Sequence, residues 1–247
     1  MTTISRRYNE ILGENLVGIY VHGSIAFGCF DWNKSDIDFI AVIGEPICVQ
    51  TKSQLLQVLT ELSTKATPKG LEMSLVLRKH CENFVHPTPY ELHFSNSYTQ
   101  DLIDEGVKTD WDLAAHFTVI KNVGIVLTGK RIDDVFGEVP RGAYLDSICK
   151  DIENAAKDVL DNPVYIILNL CRVYAYVKDG SVLSKEQGGK WGLKNLPKEY
   201  RGLITSMLNN YTYGKPIIKN PIMEISFCEH MLDLIFGPRE QILDTFT

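Results

Sequence analysis

The chain has no Cys-x-x-Cys pair. Its six cysteines, at positions 29, 48, 81, 149, 171 and 228, are scattered, which removes the usual zinc-knuckle and thioredoxin signatures. A disulfide framework is equally unexpected, because a chain of 247 residues can bury a full core without staples. No apolar run approaches the roughly 18 residues of a membrane span. The N-terminal stretch MTTISRRYNEILGEN lacks the apolar segment of a signal peptide. A basic stripe is also missing: the formal net charge of −6 argues against general nucleic-acid binding and is compatible with a cationic small-molecule partner. These absences predict a cytoplasmic globular protein with buried, reduced cysteines, no membrane association and no nucleic-acid partner.

What is present is an ordinary globular composition, with 45% hydrophobic and 23% charged residues. The first half reads as strands and helices in alternation. Leu16–Val21, Ile37–Ile43 and Leu71–Leu77 are β-rich runs bounded by turn residues. Residues 53–63 place Leu55, Leu56, Leu59 and Leu62 on one helical stripe. A loop with Pro87 and Pro89 precedes a short apolar stretch at 92–94. The second half has helical spacing at 112–127, 144–160, 164–177 and 221–236, with few β-type runs between. The Gly- and Pro-bearing segment 137–144 separates the two styles. The expected fold class is therefore α+β. A mixed-sheet domain spans 1–139, followed by an all-α helical-bundle domain over 140–247.

One segment carries an unusual demand. Asp36 and Asp38 stand at the mouth of a strand otherwise built from Ile37, Phe39, Ile40, Ala41, Val42 and Ile43. Side chains alternate along a strand, so both aspartates project from one face, about 7 Å apart along the backbone. Two such carboxylates repel unless protonated or bridged by a cation, and Mg²⁺ commonly uses one or two carboxylates plus substrate phosphates. Upstream, Gly23 and Ser24 follow the first strand, where glycine lets the backbone approach a phosphate. Glu72 lies on a later strand with the parity of Ser74 and Val76. If that strand pairs beside the aspartate strand, three carboxylates converge.

The order strand, Gly-Ser, Asp-x-Asp, then Glu on a later strand resembles the nucleotidyltransferases with a DNA polymerase β-like fold. The second half narrows the resemblance. Residues 168–200, LNLCRVYAYVKDGSVLSKEQGGKWGLKNLPKEY, resemble the helical domain of the aminoglycoside adenylyltransferases that act on streptomycin and spectinomycin. The stretch TPYELHF at 88–94 resembles that family's middle region. The resemblance implies that Asp36, Asp38 and Glu72 hold Mg²⁺ and that Glu72 is the catalytic base. It implies that Gly23 and Ser24 meet the triphosphate of ATP, with Arg172 and Lys185 supplying cations to the nucleotide. The acceptor would be a cationic antibiotic in an acidic cleft, with Glu91, Asp158, Asp161 and Tyr165 as its expected walls. A monomer or weak homodimer is the expected state.

The chain departs from the streptomycin-modifying pattern in two places. A tryptophan expected shortly after 92–94 is replaced by Asn96, Ser97 and Tyr98, and an aspartate expected ten residues before Arg172 is Asn162, beside Asp161. Spectinomycin, smaller and without guanidinium groups, depends less on an aromatic wall and a paired acid, so it is the expected preference. Two rival readings stand beside this one. The first is a nucleotidyltransferase for another small molecule or a protein side chain. The second is a non-catalytic nucleotide-binding regulator, against which the presence of Glu72 speaks, since a binding module needs no base.

Overall fold

Ile37–Ile43 (β2) is central because it is apolar on both sides: Phe39 through Ile43 are all fully buried, as expected of a strand covered on both faces. The computed structural model describes residues 2–96 and 108–237. In it, β2 pairs antiparallel with Leu16–Val21 (β1) and parallel with Leu71–Leu77 (β3). Leu92–Ser95 (β5) closes one edge and Ile125–Gly129 (β7) the other, giving the order β5-β3-β2-β1-β7. Thr88–Tyr90 (β4) and Lys108–Asp110 (β6) form a separate two-stranded ribbon.

The period-two alternation divides the core into two layers. Ile19, Val21, Phe39, Ala41 and Met73 pack with Ile4, Tyr8 and Leu12 of Thr2–Leu12 (α1) and with the leucines of Val49–Ser63 (α3). Tyr20, Ile40, Val42 and Val76 face the opposite way, towards Leu113, Phe117 and Ile120 of Leu113–Val123 (α5). Asp36, Asp38 and Glu72 have the parity of this second layer. Two short helices, Gly23–Ala26 (α2) and Arg78–Glu82 (α4), follow β1 and β3. The parallel step from β2 to β3 requires a crossover, and α3 supplies it.

The chain divides into two compact units, Met1–Ser147 and Ile148–Thr247, and the division falls inside Arg141–Lys150 (α6). The second unit contains Ala155–Asp158 (α7), Pro163–Asp179 (α8), Lys185–Asn195 (α9), Arg201–Tyr213 (α10) and Pro221–Phe236 (α11). Its centre is α8, which packs against α9, α10 and α11 and is buried nearly all round, the mark of an interior helix. No helix among the described residues is long and apolar enough to cross a membrane.

The mixed sheet and the helical second unit are as expected, and three local expectations are corrected. The helix expected over 112–127 stops at Val123, because Gly124 breaks it and the β-branched Ile125 and Val126 join β1 as an edge strand. The helix expected over 144–160 is two pieces, α6 and α7, separated by a turn at 151–154. α1, which carries Ile4, Tyr8 and Leu12 at helical spacing, and α9 and α10 lie outside the helices expected from the sequence.

α9 approaches α8 through glycines. A Cβ on Gly188 would lie 2.8 Å from the backbone nitrogen and 2.9 Å from the Cα of Arg172, atoms that cannot step aside. Gly188→Ala therefore gains about 1 kcal/mol of helix propensity but meets about 1–3 kcal/mol of overpacking. The expected net result is a lower thermal midpoint, read by circular dichroism. A midpoint equal to or above wild type would mean that the two helices separate at little cost.

Candidate active site

The parallel register of β2 and β3 places Asp38 directly opposite Glu72. Asp36 lies just before β2 on the same parity, and one carboxylate oxygen from each of the three residues lies within 4.8 Å of the others. The convergence expected from the parity of the two strands is thus present. Three half-buried acids at this spacing repel one another, and an all-oxygen set suits a hard divalent cation.

The turn after β1 is fitted to this cluster. The His22 amide donates to the Asp38 carbonyl at 3.1 Å. Gly23 has φ +61°, and a Cβ there would fall 1.9 Å from Asp38 Oδ2. Glycine is required twice over, for the left-handed backbone and for the room it leaves. The next residue supplies an orphan: Ser24 Oγ is buried and has no hydrogen-bond partner among the described residues. A buried unsatisfied hydroxyl costs about 1–3 kcal/mol, which a bound oxygen-rich group would relieve.

Histidines that the sequence reading passed over line the same side of the sheet. The Ser74 hydroxyl and His93 Nδ1 share a hydrogen bond of 3.0 Å, on the cross-strand pair two residues along from Glu72 and Ser95. The rings of His22 and His116 lie 4.5 Å apart between centroids, tilted by 34°. Burial, then the neighbouring His116, holds the His22 imidazole well below its ordinary value. Burial also lowers His93, against the opposing pull of the Glu72 carboxylate. The sequence signal was His22 itself, immediately before Gly23-Ser24. An imidazole beside a catalytic turn is hard to tell from a core histidine without its neighbours.

The other predicted residues fall as follows. Glu91 is paired with Lys52 at 3.0 Å, so its carboxylate already has a cation. Asp158 and Asp161 are exposed. Asn96 accepts a hydrogen bond from Ser63 at 2.6 Å, whereas Ser97 and Tyr98 lie outside the described residues. In the second unit, Tyr165, Arg172 and Lys185 come together. Lys185 Nζ sits 4.7 Å from the centre of the Tyr165 ring, and Arg172 donates through Nε to Asn169 Oδ1. Lys185 opens α9 directly after Ser184, whose side chain and that of Gln187 form a capping box. Asp151, absent from the sequence-based set, contacts this group.

Comparisons with known proteins bear on both units. Residues 134–221 match the family model described as "Aminoglycoside adenylyltransferase, C-terminal domain". The chain is 24% identical over 210 residues to a spectinomycin 9-adenylyltransferase from Enterococcus faecalis, covering 81% of each chain. It is 24% identical over 225 residues to an aminoglycoside (3'') (9) adenylyltransferase from Rhizobium radiobacter, covering 84% of this chain and 83% of the relative. A spectinomycin 9-adenylyltransferase from Staphylococcus aureus is 25% identical over 213 residues, covering 82% and 80%. In fold, the chain superimposes with a TM-score of 0.79 on the crystal structure of the spectinomycin adenyltransferase AAD(9) from Enterococcus faecalis with ATP and spectinomycin, at 20% identity and over 95% and 97% of the two chains.

The histidine environment predicts a pH dependence of stability. His22 has a lower value folded than unfolded, so the folded state binds fewer protons. Its contribution is whole above about pH 6.5 and is lost as pH falls from there towards the folded value. The thermal midpoint should drop between about pH 7.5 and about pH 5.5, and His22→Gln should flatten that drop. Equal slopes for the two proteins would remove His22 from the account.

Proposed function

We propose that the chain, which resembles the aminoglycoside adenylyltransferases, transfers AMP from ATP to a hydroxyl of a spectinomycin-type antibiotic, releasing pyrophosphate. The observation that carries the reading is the convergence of Asp36, Asp38 and Glu72 beside the unpartnered Ser24 hydroxyl. Phosphoryl-type transfer is mostly positioning and charge stabilisation, and this arrangement offers both.

In the proposed reaction, Glu72 accepts the proton of the acceptor hydroxyl. The acceptor oxygen forms a bond to the α-phosphorus, and the bond from that phosphorus to the pyrophosphate oxygen breaks. Asp36, Asp38 and Glu72 would hold Mg²⁺, which when bound supplies neutralisation of triphosphate charge. Ser24 donates its hydroxyl to a phosphate oxygen, and Gly23 leaves the backbone clear for that approach. Arg172 and Lys185 are assigned to the nucleotide, Arg as a planar fork and Lys as a compact charge. Asp158, Asp161 and Tyr165 remain the groups of the second unit assigned to the cationic drug. Glu91 is the weakest of the four assignments, because a drug ammonium would have to displace Lys52. The presence of a base favours an enzyme over a nucleotide-binding regulator, and ATP as co-substrate supports a cytoplasmic reaction.

Two measurements test the reading. Glu72→Gln keeps the shape but cannot accept a proton, so MgATP binding should persist while turnover falls by roughly 10²–10⁴. Normal turnover with a raised KM for ATP would make Glu72 a binding residue instead. Incubation with MgATP and a drug panel should give an AMP mass gain on spectinomycin, with a higher specificity constant than on streptomycin. That order follows from Asn162 standing where an acid would pair with a guanidinium. A higher value for streptomycin would reverse the preference, and transfer to neither would move the acceptor outside this drug class.

A further inference from the structure

We propose that Asp151, in the turn between α6 and α7, is a positioning residue that holds two cations of the second unit, Arg172 and Lys185, through two separate chains of contacts. The proposal rests on the reading above that these cations bind the phosphates of ATP.

The first chain runs through Tyr165. Its hydroxyl meets both carboxylate oxygens of Asp151 at 2.8 Å, and its ring lies beneath Lys185 Nζ. The carboxylate fixes the far end of the ring, and the ring face gives the ammonium a cation–π seat. The second chain runs through Asn169, which is fully buried. Its amide nitrogen donates to Asp151 Oδ2 at 2.5 Å, while its oxygen accepts from Arg172 Nε. Only one orientation of the amide makes both contacts. Arg172 Nη2 also lies 3.6 Å from Asp151 Oδ2. Tyr165, Asn169 and Arg172 are spaced i, i+4 and i+7 on α8, a single stripe, and Asp151 caps that stripe from outside the helix.

The ion pair itself is weak in stability terms. The Asp151 side chain is 32% exposed and that of Arg172 28%, so solvent screens the attraction. Its effect lies in order. Arg and Lys side chains are rich in rotamers, and a phosphate site must freeze them. Holding them before the ligand arrives removes that cost from binding. The geometry of Arg172 fits such a role. Nε and Nη2 face the Asn169–Asp151 pair, and Nη1 has no partner among the described residues. One edge of the guanidinium is gripped and the other is presented.

The test is MgATP affinity of the full chain by titration calorimetry, with thermal midpoints measured in parallel. Asp151→Ala should weaken MgATP about tenfold by releasing both cations, and Tyr165→Phe about two- to threefold by releasing the Lys185 branch alone. Asp151→Asn, which can still accept from Tyr165, should fall between them. The loss caused by Lys185→Ala should be smaller in the Asp151→Ala background than in wild type, the coupling expected of residues in one chain of contacts. Wild-type MgATP affinity in Asp151→Asn and Tyr165→Phe, with only the thermal midpoint lowered, would make Asp151 a staple of the turn and overturn the proposal. Tighter MgATP binding would overturn it too, since Asp151 would then compete with the phosphates. Should Asp151→Ala not fold, the Asn and Phe variants decide between these outcomes. A wild-type protein that binds no MgATP would defeat the nucleotide reading itself, which separates that failure from this one.

Discussion

Mutual repulsion among Asp36, Asp38 and Glu72 is the constraint around which the first unit is organised. At an effective dielectric of about 20, two unit charges about 5 Å apart repel by about 3 kcal/mol, and here three such pairs meet. The sheet imposes this arrangement because β2 and β3 are buried on both faces and cannot slip. A shift of one residue would turn every apolar side chain of β2 to the wrong layer. The apolar register that places Phe39 against α1 and Ile40 against α5 is therefore the same register that sets Asp38 against Glu72.

The turn and the histidines answer to that cluster. Gly23 exists as glycine because Asp38 occupies the space a side chain would need, and the Ser24 hydroxyl next to it has no partner among the described residues. Burial on the same side of the sheet lowers His22 and His93 below the ordinary imidazole value. In the second unit the logic is opposite in sign. There, cations are held by a carboxylate, a phenol and an amide, and the helix pair α8–α9 is brought close by glycines so that Lys185 reaches Tyr165.

Much of the first unit was legible because its signals are local. An apolar run with two acids at its mouth, and a glutamate of known parity, suffice to expect three converging carboxylates. What could not be read depends on contacts between distant positions. Asp151 meets Tyr165, Asn169 and Arg172 across a turn interrupting a segment whose spacing resembles one continuous helix, so nothing local marks it. The edge strand β7 was hidden because Ile125 and Val126 also fit the helical spacing of α5, and only pairing with β1 decides between them. Glu91 looked available as an acid near a loop, until the fold brought Lys52 of α3 against it.

Gly23 also sets a limit on how this protein can diverge. Every codon change that replaces it adds a Cβ, and any Cβ collides with Asp38, so sequence drift at that position is closed as long as the aspartate stays. Asn162 and Asp161, exposed at the start of α8, face no such veto. Substitution is therefore open at the mouth of α8 and closed at the turn beside the carboxylates.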